Sequence, residues 1–401
     1  MENTGSKYYK ASDAVSVVRL EEYNYDSAVR ALTDALMPIG GLDFVKPGMK
    51  VVIKANLVSA MKPSQAATTH PVLLCALVTL LREKGAEVVI GDSPGGLYNS
   101  AFLSRIYNVT GMHETEKFGA ELNRDFSQKE AVFPEGKVLK SFLYTGYLDK
   151  ADVIINFCKL KSHGMMGMSC GAKNMFGTVP GVTKPEYHFR FPDYDDFADM
   201  ITDLDEYFHP VLTIADAVVG MEGNGPTAGT PRKIGCILAS KSPHTLDYVA
   251  ADMLGFSKEE LPILMSAYRR GLIPENVSEI KVYGSLEGLK TEDFERVVER
   301  SSLLFSGKGK SRLRNALSSV LKLILRTRPE PKKDKCVGCG ICVGICPAKA
   351  IRKVKGKIKI DRKKCIRCFC CQEFCPKSAI VVHRTAVARI FGSGSKNEKA
   401  K

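Results

Sequence analysis

Eight cysteines near the C-terminal end carry the most specific chemistry in the chain. Cys336, Cys339, Cys342 and Cys346 form a C-x2-C-x2-C-x3-C run that ends in Pro347. Cys365, Cys368, Cys371 and Cys375 repeat it and end in Pro376, each 29 positions after its counterpart. Three thiolates at x-x spacing can reach one iron–sulfur cube from a tight loop, with backbone N–H groups turned toward its sulfur. In this duplicated pattern the fourth cysteine of each run serves the other cluster. Cys336, Cys339, Cys342 and Cys375 are therefore expected to hold one [4Fe–4S] cluster, and Cys365, Cys368, Cys371 and Cys346 a second. Zinc also takes thiolate pairs at this spacing, but the Cys-Pro endings and the unbroken duplication favour clusters. Cys370 has no counterpart in the first run. It reads as a small filler side chain, with a substitute ligand as the alternative.

A second concentration of reactive side chains lies mid-chain. From Cys158 to Gly181, 24 residues hold three lysines, a histidine, two cysteines, four methionines and five glycines. A solvated loop has no need of so many soft and apolar side chains, and a plain core segment would not carry Lys161, His163 and Lys173. The mixture predicts the wall of a partly buried, positively charged cleft. The blander reading is a glycine-rich loop packed on Met and Phe with its lysines in water. Two further glycine-rich stretches, Gly91–Gly96 and Gly220–Arg232, also follow predicted strands. Such loops suit close approach of backbone to an anion, and equally an ordinary turn. Lys161, His163 and Glu222 are the candidate catalytic groups, and Asp92, Ser93, Lys173, Asn174 and Arg232 the candidate substrate-binding groups. Cys158, His163 and Cys170 could alternatively act as soft metal ligands.

These loops need a frame. Val15–Val18, Val51–Ile53, Glu87–Ile90, Val153–Phe157, Val211–Val219 and Ile234–Ala239 read as strands. Helical spacing of apolar residues falls between several of them, and Pro71 opens one such helix. The alternation predicts an α/β body over residues 1–300, a mostly parallel sheet with helices on both faces. In such a sheet the carboxyl ends of the strands share one rim, where the three loops would converge. Residues 301–331 read as a basic amphipathic linker, 332–385 as a small α+β domain carrying the clusters, and 386–401 as a disordered tail. The stretch Ile351–Ile360, with Gly356 at its middle, reads as a hairpin.

Charge divides the chain. Residues 307–401 hold 26 Lys/Arg against 5 Asp/Glu, whereas residues 1–306 hold 32 against 39. The basic end fits an acidic partner, an anionic membrane surface met by the linker helix, or docking on the acidic body. Nucleic acid is a poor candidate, because no aromatics interleave the basic stretch. The longest apolar run, Val72–Leu81, is too short to span a membrane. No charged-then-apolar leader opens the sequence, and the cluster-type cysteines suit a reducing compartment, so a cytoplasmic setting is expected. Neither a G-x-G-x-x-G after a strand nor a Walker loop is present, so nothing points to NAD or ATP.

The cysteine-rich region resembles the bacterial two-[4Fe–4S] ferredoxin module. The body resembles the family known as domain of unknown function 362, whose members are often labelled iron–sulfur centre proteins. The resemblance rests on Gly91-Asp92-Ser93-Pro94-Gly95, Lys161-x-His163, Lys173-Asn174-x-x-Gly177 and Glu222-Gly223-x-Gly225-Pro226. It implies an α/β body fused to an electron-transfer domain and brings no particular reaction. Two functions fit. In the first, a ferredoxin-linked reductase, the clusters feed electrons to a small anionic or carbonyl-bearing substrate in the cleft. The lysines and Arg232 balance its charge, and His163 or Glu222 moves the proton. In the second, the body is a docking module without substrate, and the basic end meets an acidic ferredoxin or flavodoxin.

Overall fold

A computed structural model of the chain describes residues 6–291, 293–296 and 328–383. The tail expected over 386–401, and the expected linker up to residue 327, lie outside the described residues. The body begins with β1 (Val15–Arg19), α1 (Tyr25–Leu36), β2 (Lys50–Lys54), α2 (Pro71–Glu83), β3 (Glu87–Gly91), α3 (Ser100–Thr110) and β4 (Ala120–Leu122). A separate hairpin, β5 (Gln128–Val132) and β6 (Ser141–Thr145), leads to β7 (Val153–His163), β8 (Gly167–Ser169), α4 (Gly171–Asn174), α5 (Lys184–Arg190) and α6 (Tyr194–Phe208). It closes with β9 (Leu212–Glu222), β10 (Thr230–Ser240), α7 (Pro243–Met253), α8 (Pro262–Arg269) and β11 (Val282–Tyr283).

One sheet runs in the order β11-β1-β10-β9-β7-β2-β3-β4, with β8 paired to the end of β7. β4, β3, β2, β7 and β9 are parallel, and β10 returns antiparallel between β9 and β1. Side chains along a strand alternate between faces. Val51 and Ile53 pack with Leu32 of α1 and Leu73 of α2, while Val52 and Ile154 pack with Phe197 and Leu204 of α6. Val17 and Leu238 meet Leu246 of α7 and Leu264 of α8 on that second face. The body is therefore a mostly parallel sheet with helices on both faces. Local chemistry sets the helix starts. The Asn24 side chain accepts from the Ser27 N–H, and Pro71 and Pro243 occupy first-turn positions where no N–H is needed.

Two strands outrun their expected ends. β7 continues from Phe157 to His163, and β9 from Val219 to Glu222, which shortens the intervening loops. Lys159, Lys161 and His163 read as loop residues because they are polar. In the strand they alternate with Cys158, Leu160 and Ser162, and every one of these six side chains is buried.

The cysteine-rich unit contains two antiparallel pairs, β12 (Arg328–Pro331) with β15 (Ile380–His383) and β13 (Ile351–Val354) with β14 (Lys357–Ile360). The second pair turns at Lys355-Gly356, as the glycine suggests. β12 starts inside the expected linker, because Pro329 and Pro331 weaken any strand signal there. Ile351, Ile358 and Ile380 form a small core with Cys342 and Cys371.

Candidate functional site

The parallel strands bring their carboxyl ends to one rim, and a cavity of about 40 Å³ opens there. That is room for about three waters or one compact ion. Asn56 follows β2, Asp92 and Ser93 follow β3, and Lys161 and His163 end β7. Lys173 and Asn174 come from α4, and Pro226 from the loop between β9 and β10. Six candidates named from sequence, Asp92, Ser93, Lys161, His163, Lys173 and Asn174, thus line one cavity. Three neighbours were not anticipated: Asn56, Lys184 and, from the second cysteine run, Glu373.

The wall is densely charged, and its lysines and Asp92 are buried. Lys54, at the end of β2, pairs with Asp92 at 2.8 Å, and both are buried. Asp92 Oδ2 also accepts from the Leu57 N–H at 2.7 Å. A Cβ on Gly177 would fall 2.1 Å from Asp92 Oδ1 and 2.5 Å from Lys54 Nζ, so a larger residue there would split the pair. Lys161 has neutral partners, Asn56 Oδ1 at 2.8 Å and the Ala67 carbonyl at 2.7 Å. Lys173 lies 4.8 Å from the centre of the Phe176 ring, and Lys184 donates to the Ser93 carbonyl. Burial lowers the pKa of all four lysines, bringing Lys161 to about 7 and Lys184 to about 8. An amide relay fixes the floor: Asn56 Nδ2 donates to Asn174 Oδ1 at 2.8 Å, and Asn174 Nδ2 to Asn156 Oδ1 at 2.7 Å.

His163 has a defined tautomer. Its Nδ1 accepts from the Met165 and Met166 N–H groups, each at 3.1 Å. Burial first, then Lys173, His188 and Lys161, hold the ring well below the usual histidine range. The ring is neutral and carries its proton on Nε2, which has no partner among the described residues.

The other candidates are placed elsewhere. Arg232 pairs with Asp293 at 2.7 Å and Glu222 at 3.8 Å, and Glu222 Oε2 accepts from the Glu295 N–H. Neither side chain lines the cavity; together they tie residues 293–295 to the β9–β10 hairpin. Cys158 and Cys170 touch, Sγ to Sγ 3.6 Å, in the apolar core, while His163 Nδ1 is taken by backbone. No group of three or more His, Cys, Asp or Glu among the described residues is arranged to hold a single metal ion.

Cys336, Cys339, Cys342 and Cys375 surround one hollow, so the last cysteine of the second run sits with the first three of the first. Cys371 has Cys368, Cys365, Cys342 and Cys346 as its thiol neighbours. The Ala350 and Ala379 N–H groups donate to Cys346 Sγ and Cys375 Sγ, each at 3.2 Å. Donors on sulfur and thiols around a hollow suit ligands of an iron–sulfur cube. The second run, with its short helix Cys370–Glu373, is docked on the body. Gln372 Nε2 donates to the Asn224 and Gly225 carbonyls at 3.0 and 3.2 Å, and the Val382 N–H donates to Asn224 Oδ1 at 3.2 Å. A Cβ on Gly95 would lie 2.8 Å from the Phe374 ring. The Gly223-x-Gly225-Pro226 turn is thus a seat for the cysteine-rich unit.

The comparisons with known proteins agree with this division. Residues 51–252, about half of the chain, match the family described as domain of unknown function DUF362. The chain belongs to the DUF362 family. In this DUF362 protein a 4Fe-4S dicluster domain follows at residues 328–376, the module of iron–sulfur electron transfer. A relative from Synechocystis sp., described as thylakoid-associated protein sll1697, is 32% identical over 269 residues, which cover 65% of this chain and 80% of that protein. Among solved structures, the lactate racemase apoprotein from Thermoanaerobacterium thermosaccharolyticum is similar over 61% of this DUF362 chain and 57% of its own, at 13% identity and a TM-score of 0.40. No helix among the described residues is long and apolar enough to cross a membrane.

Proposed function

We propose that this protein is a ferredoxin-linked reductase whose substrate binds in the cavity at the sheet rim. The observation that carries the reading is Glu373, which lies in the second cysteine run and lines the same cavity as Lys161 and His163. Wiring and binding groups share one wall. Two [4Fe–4S] clusters, held by Cys336, Cys339, Cys342 and Cys375 and by Cys365, Cys368, Cys371 and Cys346, would supply electrons one at a time.

The chain's own residues then divide the remaining work. The His163 Nε2–H is free to donate to an oxygen that gains charge on reduction. Lys161, with a pKa near 7, can hand over a proton at physiological pH and regain it. Lys173 and Lys184 hold substrate charge, and the Lys54–Asp92 pair keeps the rim rigid. An acidic ferredoxin or flavodoxin is the electron donor that the basic C-terminal end fits.

The test uses protein with reconstituted clusters, reduced without oxygen and mixed with small carboxylates bearing a carbonyl or a double bond. At least one compound should restore the oxidised visible spectrum, and His163→Ala and Lys161→Ala should stop this while iron and sulfide content stay unchanged. If no compound reoxidises the protein, the body is a docking module and the reductase reading falls. If both variants keep the wild-type rate, the site is misplaced.

A further inference from the structure

The charges around the cavity do not balance. Asp92 is taken by Lys54 at 2.8 Å. Glu373 is then the one lining carboxylate left for Lys161, Lys173 and Lys184, among the described residues. None of these three lysines has a carboxylate within ion-pair distance among the described residues; their partners are the Asn56 amide, backbone carbonyls and the Phe176 ring. They are at most 7% exposed, so water does little to settle their charge. His163 adds a buried Nε2–H with no partner. With its three lysines protonated, the site carries two positive charges more than its carboxylate matches, and one buried donor without an acceptor.

We infer that the cavity takes a compact dianion, either an inorganic oxyanion or a short dicarboxylate, held between Lys161, Lys173 and Lys184 with His163 Nε2 donating to one of its oxygens. The inference rests on reading the cavity as the substrate site, and it names the class of substrate. The volume of about 40 Å³ suits a small ion rather than a whole nucleotide or sugar phosphate. Val58 and Phe176 add apolar surface to the wall, against which a short carbon chain can lie. A monoanion would leave one buried ammonium unmatched, which sets the preference for two charges.

Calorimetric titration of the oxidised, cluster-loaded protein tests this without any electron transfer. At matched ionic strength, sulfate and malonate should bind at least about ten-fold more tightly than acetate or nitrate. Lys173→Gln should weaken sulfate at least about ten-fold, while Lys281→Gln, an exposed lysine on the far edge of the sheet, should leave it unchanged. Equal affinity for dianions and monoanions, or an unaffected Lys173→Gln protein, would overturn the inference. If Lys173→Gln does not fold, the thermal midpoint of the unaltered protein decides: sulfate should raise it above matched chloride, and no rise overturns the site. Dianion binding without reoxidation by any compound retires the reductase and keeps the site. Reoxidation by a neutral carbonyl without dianion binding does the reverse.

Discussion

Position 341 in the first cysteine run is an isoleucine left 44% exposed, and its counterpart 29 residues on, Cys370, is 1% exposed. The contrast recurs at three further pairs. Val337 is 63% exposed where Ile366 is half-buried; Cys339 is exposed where Cys368 is half-buried; Val343 is half-buried where Gln372 is fully buried. The metal-binding spacing is the same in both copies, so the spacing cannot be what makes them differ. The residues between the ligands do. In the second copy they are those that fit the body: Gln372 for two carbonyls, Phe374 for the space over Gly95, and Glu373 for the cavity wall. In the first copy the same positions hold Val343, Ile345 and Gly344. The two copies therefore have different surroundings: one opens to solvent among lysines, and the other lies against the body and contributes Glu373 to the cavity wall. On the proposed reading, the first would meet the protein donor and the second would serve the cavity.

The comparison breaks most severely at the ligands themselves. Cys371→Ser and Cys342→Ser should each cost one cluster, seen as a fall from about eight to about four irons per chain. Their consequences should differ. Without the docked cluster, direct chemical reduction should no longer lead to substrate turnover. Without the exposed cluster, a small chemical reductant should still drive turnover while a ferredoxin donor fails. Equal losses with both donors would show that the two copies are not used in series.

A steric change comes next. Gly95→Leu would place a side chain in the space of the Phe374 ring, an overpacking expected to cost about 1–3 kcal/mol. The damage should fall on the docking face and on the adjoining cavity rim, which Gly95 also lines: faster proteolysis near Asn224–Thr227 and slower turnover, with both clusters retained. Loss of a cluster instead would mean that the seat supports the fold of the cysteine-rich unit as well.

Much of this was legible in the chain and some was hidden, for physical reasons. Cluster spacing is a local signal, since three ligands lie within seven residues, and it needs no tertiary knowledge. Strand–helix alternation gave the sheet, and the rule that parallel strands end on one rim brought Asp92, Ser93, Lys161, His163, Lys173 and Asn174 together. Lys184 was not legible, because Thr183-Lys184-Pro185 carries no local mark of burial. Lys54 had a weak one, a lysine closing the apolar run Val51-Val52-Ile53 at the rim. Glu373 was invisible for a different reason: it belongs to the cluster unit, and no pattern within either part reveals which loop faces which. Glu222 and Arg232 stand outside the cavity, which the sequence could not reveal, because a carboxylate and a cation on a glycine-rich turn look the same whether they meet a substrate or each other.

Acidity should act on the cavity end. Burial brings Lys161 to about 7 and Lys184 to about 8, against an ordinary value of 10.5. The groups acting on Lys161 are Glu373 and Asp92, which favour its charge, and Lys173 and Lys159, which oppose it. Sulfate stays a dianion across this range, so its Kd should be flat below about pH 6.5 and rise about ten-fold or more by pH 9 as the lysines lose protons. Stability without anion should move the other way. The unfolded chain holds these protons up to its higher pKa, so it binds more protons than the native state above pH 7, and the two lysines add stability as pH rises toward 10. A Kd that does not change with pH would mean that the lysines remain charged throughout, held so by Glu373 and Asp92.

The smallest effect is also the sharpest test of what made one copy dock. Gln372→Val gives the second copy the residue of the first, and Val343→Gln does the reverse. Gln372 is fully buried, and its Nε2 serves the carbonyls of both Asn224 and Gly225. Valine would leave those two acceptors without that donor, a loss of about 1–2 kcal/mol at the seat. Val343 is half-buried beside the small core of the cysteine-rich unit, where glutamine can turn its amide to water, so the reverse change should cost no more than about 0.5 kcal/mol. Amide exchange reads the difference. Gln372→Val should speed exchange of the Val382 N–H, which is held by Asn224 Oδ1, while Val343→Gln leaves it unchanged. Equal protection in the two variants would place the specificity of docking in contacts that neither substitution touches, such as the Phe374–Gly95 packing and the hydrogen bond from Ser378 Oγ to the Thr227 carbonyl.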